Sequence, residues 1–257
     1  HRRDPDGRGL RRQRRGARPD PPRQGRGHGH RGRGERARRA HDGALAWAGP
    51  AFADAGEQRD RRYPTCRSGC QVRPLKGDRG RLDADTVAAA LQNPLDAHAA
   101  PSRLVVLENT TNKGGGACYD TREIEKIRAV CQSKGLALHL DGARLWNALV
   151  KTGHHPTFYG QHFDSISVCF SKGLGCPVGS VLVGGKDFIH QARFVRKKLG
   201  GGMRQAGYLA MAARYALSHH IGRLQEDHDH ATILAEALQQ CPWVAKVEPV
   251  ETNIIIF

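Results

Sequence analysis

Two short apolar runs, Leu136 to Leu140 and Ile166 to Phe170, are each bounded by polar or glycine residues. Runs of that length predict buried strands of an α/β sheet, and polar residues close each one: Asp141 after the first, Ser171 and Lys172 after the second. Upstream, Arg103 to Leu107 predicts another strand, which runs into the polar stretch ENTTNKGGG. Between these strands, Asp120 to Lys134 carries Ile124, Ile127, Val130 and Cys131 at helical spacing, with Gly135 placed to stop the helix. Strand, helix, strand in that order predicts a βαβ unit. Before it, the loop KGDRGRLD leads into a helix over 83–92 with an aspartate near its start. After it, GSVLVGG predicts a further strand, and Lys186 to Lys198 a basic amphipathic helix whose charges form a solvated face. Helices over Tyr208 to Leu217 and Ile221 to Leu238 follow, and VAKVEPVETNIIIF reads as two strands. The Gly114 to Gly116 triplet either turns the chain or lets backbone approach a ligand.

Residues 1–70 break this pattern. The segment holds two leucines, Leu10 and Leu45, and no Val, Ile or Lys, so it cannot build a core. It also holds nineteen arginines against eight acidic residues, a net of +11 out of the chain's +16. The basic character that would otherwise point to nucleic acid is therefore mostly a property of this arm. Three readings compete for it: a solvated disordered tail, an Arg/Gly-rich RNA-binding segment, and a stretch translated out of frame, since Arg, Gly, Pro and Ala belong to GC-rich codons. No stretch approaches a signal h-region or a transmembrane span, and the arm lacks a transit-peptide pattern. The seven cysteines and fourteen histidines show no metal-site spacing, so neither zinc nor a disulfide framework is supported, and a reducing cytoplasm fits. Cys169 and Cys176 flank Lys172 and read as small buried hydrophobes.

In open parallel sheets ligands bind beyond the carboxyl ends of the strands, so Asp141 and Lys172 face one crevice. A desolvated lysine there can form a Schiff base with a carbonyl, and a carboxylate can keep a pyridine nitrogen protonated. Spacing alone leaves a surface lysine and a helix-capping aspartate as an equal alternative. The segments HLDGARLWNA, SVCFSKGLGCPVGSVLVG and KKLGGGMRQAGYLA resemble the threonine aldolases, pyridoxal-phosphate enzymes of the β-eliminating lyase group, with the match running from about Gln71 to the end.

That resemblance implies the aspartate aminotransferase fold type, a mostly parallel sheet with helices on both faces, incomplete here at both ends. A partial cofactor-binding domain would cover 71–222, and 223–257 would begin a small C-terminal domain. It implies pyridoxal 5'-phosphate on Lys172, with Asp141 at the ring nitrogen, Ser171 beside the lysine, Arg144 near the ring and the substrate carboxylate, and Lys197 and Arg204 toward the phosphate. Where the family usually has a histidine acting near the substrate hydroxyl, this chain has Thr111, so the base assignment does not carry over. The implied reaction is cleavage of threonine or allo-threonine to glycine and acetaldehyde by a cytoplasmic homo-oligomer, a dimer or tetramer, acting on a small amino acid rather than on membrane or nucleic acid. An aminotransferase or β-eliminating lyase of the same fold type, and an inactive core behind an RNA-binding arm, are the alternatives. The family's phosphate loop, ring-stacking histidine and C-terminal arginine are not recognisable, so the chain as written is expected to be poorly soluble and a poor enzyme.

Overall fold

In a computed structural model the residues described are 69–257, and the readings of the arm lie outside them. The predicted elements form for the expected local reasons. Helix α1 spans Ala84–Ala90, and the Asp83 carboxylate caps it by accepting the Thr86 N–H at 2.6 Å. Strand β1 is Leu104–Glu108, one residue later than expected at each end. Helix α2, Thr121–Lys134, starts on an Asp120 cap and ends on Gly135 in the left-handed conformation at φ 66°. It turns Ile124, Ile127 and Cys131 inward. Strand β2 is Ala137–Gly142 and β3 is Ser165–Cys169, and β1, β2 and β3 run parallel in that order. Strand β4, Ser180–Gly184, closes the four-stranded sheet antiparallel to β3.

The stretch between β2 and β3 holds two helices the sequence reading passed over. Helix α3, Leu145–Thr152, ends at Gly153, and α4, Pro156–His162, starts with proline in its first turn behind a His155 cap. Both are too short for a periodic signal to stand out. Three longer helices follow: α5 (Lys186–Lys198), which packs on β4, α6 (Gly207–His219) and α7 (Leu224–Gln239), which packs on α3.

Alternation along the strands gives the sheet two unlike faces. One carries Leu107, Leu138, Leu140, Ile166 and Val168, which pack with Ile124, Ile127, Cys131, Tyr159 and Phe163 in the core. Register makes the opposite face a polar row, Glu108 beside Asp141 beside Ser167, with His139 and Ser165 one step back.

The reading of VAKVEPVETNIIIF as two strands is corrected: among the described residues no strand lies beyond β4. One backbone bond, Glu248 N–H to the Ile256 carbonyl at 2.8 Å, closes this segment on itself. Its polar groups go elsewhere. Thr252, fully buried, donates its hydroxyl to the Gly116 carbonyl at 2.8 Å. The Glu251 carboxylate takes the Arg79 guanidinium at 2.6 Å and the Cys118 N–H at 2.9 Å. Arg79 in turn donates to the carbonyls of Gly114 and Pro249, at 3.0 and 2.6 Å. The segment is thus a strap across the 114–116 loop, and a ladder cannot form where side chains take the bonding groups. The glycine triplet serves that contact. At Gly116, φ 71°, a Cβ would overlap the Thr252 hydroxyl.

Candidate active site

The site is built at the carboxyl ends of β1, β2 and β3. Asp141, the penultimate residue of β2, is 5% exposed, and its Oδ1 accepts the Ala143 N–H at 3.0 Å, which turns the chain out of the strand. Gly142 is required at this turn: a Cβ would stand 2.7 Å from the Ser167 carbonyl of β3. The turn delivers Arg144 to the start of α3.

Lys172 sits two residues past Phe170 in a tight loop after β3 and is exposed, with Nζ 3.6 Å from the Cys169 Sγ. The loop is held from several sides. Phe170 bonds the Gly179 carbonyl at 3.0 Å, and Gly175 bonds the Lys172 carbonyl at 2.8 Å. The Trp146 indole donates to the Cys169 carbonyl at 3.0 Å and stacks on Phe170. His220, just past α6, bonds the Leu174 carbonyl at 2.8 Å. Ser171 therefore rides a braced loop beside the lysine, one residue past the Phe170–Gly179 bond.

Sequence reasoning missed Glu108. Paired with Asp141 across the β1–β2 register and 5% exposed, it accepts the Asn112 N–H at 3.1 Å. Burial pushes its carboxyl up to about 7, and the nearby Asp141 charge adds to that while Arg144 and Lys172 oppose it. One carboxyl thus feels three of the predicted residues, so Asp141, Arg144 and Lys172 share a neighbourhood. The signal that selected Asp141, a polar residue closing an apolar strand, applies equally to Glu108, but the strand was read as ending at Leu107. His139 was also missed. Its ring is 4% exposed, Nδ1 meets the Ser165 hydroxyl at 2.8 Å, and Nε2 is buried without a hydrogen-bond partner among the described residues. Burial lowers its pKa, against the pull of Asp141.

Thr111 lies in the loop after Glu108, buried, with its hydroxyl 3.5 Å from the Ala117 carbonyl to which it donates. Lys197 and Arg204 are exposed at the end of α5 and in the loop beyond, and among the described residues no hydrogen bond or ion pair joins them to this group. Among the described residues Cys118, Cys131, Cys169, Cys176 and Cys241 form no disulfide. Among the described residues no helix is long and apolar enough to cross a membrane.

Comparison with known proteins adds the family. The beta-eliminating lyase family model matches residues 56–257, beginning upstream of Gln71. The chain is 45% identical over 178 residues to low-specificity L-threonine aldolase 1 of Arabidopsis thaliana, covering 68% of this chain and 50% of that protein. It is 44% identical over 176 residues to the low specificity L-threonine aldolase of Escherichia coli K12, covering 68% of this chain and 51% of that one. A solved structure of Leishmania major threonine aldolase superposes with a TM-score of 0.63 at 26% identity, over 72% of this chain and 54% of that one. The chain spans about half the length of the curated relatives it matches.

Proposed function

The chain belongs to the beta-eliminating lyase family, and from that premise we propose that it carries the pyridoxal-phosphate site of an aldehyde-lyase cleaving L-threonine or L-allo-threonine to glycine and acetaldehyde. The observation that carries the proposal is the convergence, at adjacent strand ends, of an exposed amine (Lys172), a buried carboxylate (Asp141) and a guanidinium (Arg144). These residues fit the cofactor: the amine suits an aldehyde, the carboxylate a protonated ring nitrogen, and the His139 Nε2 behind them is a buried polar atom still lacking a partner. When bound, pyridoxal phosphate supplies an electron sink for the charge left at Cα.

The chain's own residues do the rest. Lys172 attaches the cofactor through Nζ. Asp141, rigid in its turn, holds a proton on the ring nitrogen. Arg144 receives the substrate carboxylate in a planar two-point grip. Lys197 and Arg204 serve the phosphate, in an assembly of identical chains that the exposed Phe194, Met203, Tyr208 and Met211 around them favour. Thr111 shapes the loop, donating its hydroxyl to Ala117, and because a threonine hydroxyl is too weak a base to take a proton, the proton of the substrate hydroxyl passes to a different acceptor. Free cysteines agree with a cytoplasmic setting.

The test is spectroscopic and chemical. Lys172→Ala should abolish the visible band of attached pyridoxal phosphate, whereas Asp141→Ala should keep attachment and lose most turnover. Acetaldehyde formed from threonine supports the aldolase. Ammonia with a keto acid would assign the site instead to another reaction of the same fold type.

A further inference from the structure

Glu108 has no part in the reading above, yet it is among the most enclosed charged groups of the site. Neighbouring strands lie about 4.8 Å apart, so the β1–β2 register brings the Glu108 and Asp141 side chains out on one face as adjacent acids. Two buried carboxylates so placed repel, and one keeps its proton unless a cation joins them. The groups facing Glu108 are Asp141 from β2, Arg144 at the head of α3, Lys172 from the loop after β3, and the Tyr119 phenol ahead of α2. Arg144 and Lys172 reduce the repulsion, but the balance leaves the Glu108 carboxyl near 7. Among the described residues the Asn112 N–H is its hydrogen-bond donor, and that bond does not offset the burial.

We propose that Glu108 is a positioning residue that exchanges its proton for the cofactor: in the empty site the Glu108–Asp141 pair holds a proton on Glu108, and a cationic ring nitrogen seated against Asp141 expels it. This rests on the pyridoxal-phosphate reading of the site. The step balances simply, since the Glu108 carboxylic acid becomes carboxylate, its proton goes to solvent, and the pair gains the negative charge that faces the ring.

The experiment titrates pyridoxal phosphate into the full chain between pH 5.5 and 8.5, in wild type and Glu108→Gln, following absorbance, with carboxyl infrared spectra of the same samples. Glutamine keeps a carbonyl oxygen for the Asn112 N–H, so a residue that merely supports the loop would leave the pH profile unchanged. The inference expects wild-type affinity to rise with pH by up to about tenfold per unit below 7 and then to level off, as release of one proton requires. Glu108→Gln should lack this component, keeping only the slope set by the cofactor's own phosphate, which titrates at about pH 6, and should release one proton fewer at pH 6. The protonated-carboxyl band of the empty wild type should vanish on cofactor addition and be absent from Glu108→Gln. Equal pH profiles in the two proteins, or no protonated carboxyl at pH 6, overturn the inference while the cofactor reading stands. A chain that binds no pyridoxal phosphate at any pH overturns both.

Discussion

Replacing Glu251 by alanine should destabilise the protein by about 2–3 kcal/mol. The carboxylate accepts two hydrogen bonds, from the Arg79 guanidinium at 2.6 Å and the Cys118 N–H at 2.9 Å, and Arg81 lies 3.5 Å away as a second cation. Bonds to charged groups contribute about 1.5–3 kcal/mol each, and breaking a fully buried pair costs about 3–5 kcal/mol. The side chains here are 18% and 27% exposed, so water partly replaces what is lost and the value falls below that upper range. Urea unfolding of wild type, Glu251→Ala, Arg79→Ala and the double variant would give the cost and the coupling between the two residues. The coupling should exceed about 1 kcal/mol, with Glu251→Gln intermediate because it can still accept from Cys118. Because Arg79 also holds the carbonyls of Gly114 and Gly115, the loop bearing Thr111 should loosen, and its amides should exchange faster. A Glu251→Ala protein within about 0.5 kcal/mol of wild type, with no coupling to Arg79, would refute the reasoning that the strap is held by this cluster.

Gly116→Ala should cost at least about 2 kcal/mol, since it combines a positive φ with a Cβ placed on the Thr252 hydroxyl, and thermal unfolding would measure it. For Glu108 the folded carboxyl is raised from 4.5 to about 7, so its contribution is fully present below pH 4.5 and is lost as pH rises through 7. Glu108→Gln should therefore match wild type at pH 4 and exceed it by up to about 3 kcal/mol above pH 7, read from urea midpoints across pH. His139 and His228 act in the opposite sense: burial lowers both, so their contribution is present above about pH 6.5 and is lost as pH falls below it. In a Glu108→Gln background stability should then fall on acidification from pH 6.5, and the slope should lessen when His228→Asn is added. His220→Ala should free the Leu174 carbonyl and weaken pyridoxal-phosphate attachment at Lys172 several-fold without unfolding the chain, checked by cofactor titration beside circular dichroism.

What the sequence made readable was local. Asp83, Asp120 and Gly135 announce helix ends because capping is decided within three or four residues. The strands before Asp141 and Lys172 are readable because burial on both sides of a parallel sheet demands a continuous apolar run. Glu108 was hidden by a boundary error of one residue, and with it the second acid of the site. The strap was hidden for a different reason. NIIIF has the composition of a strand, but whether an apolar run pairs in a ladder or lies against a loop depends on partners far away, here Arg79 and Gly116. Helices α3 and α4 are held by what they touch, such as Tyr159 receiving the Asn109 amide at 3.2 Å, more than by their own periodicity.

The strap has a consequence for how the protein is made. Its contacts join Arg79 to Glu251 and Gly116 to Thr252 across 172 and 136 residues. A chain emerging from the ribosome would have exposed β1, β2, β3 and the lysine loop well before Glu251 and Thr252 appear, leaving Arg79 and the 114–116 carbonyls facing water in the meantime. Such distant closures are slow, because the entropy of the long loop is lost before the contact is gained. The nascent site should therefore be assembled in the wrong order for early cofactor capture: its amine and acids arrive first, and the clamp that fixes the neighbouring loop arrives last.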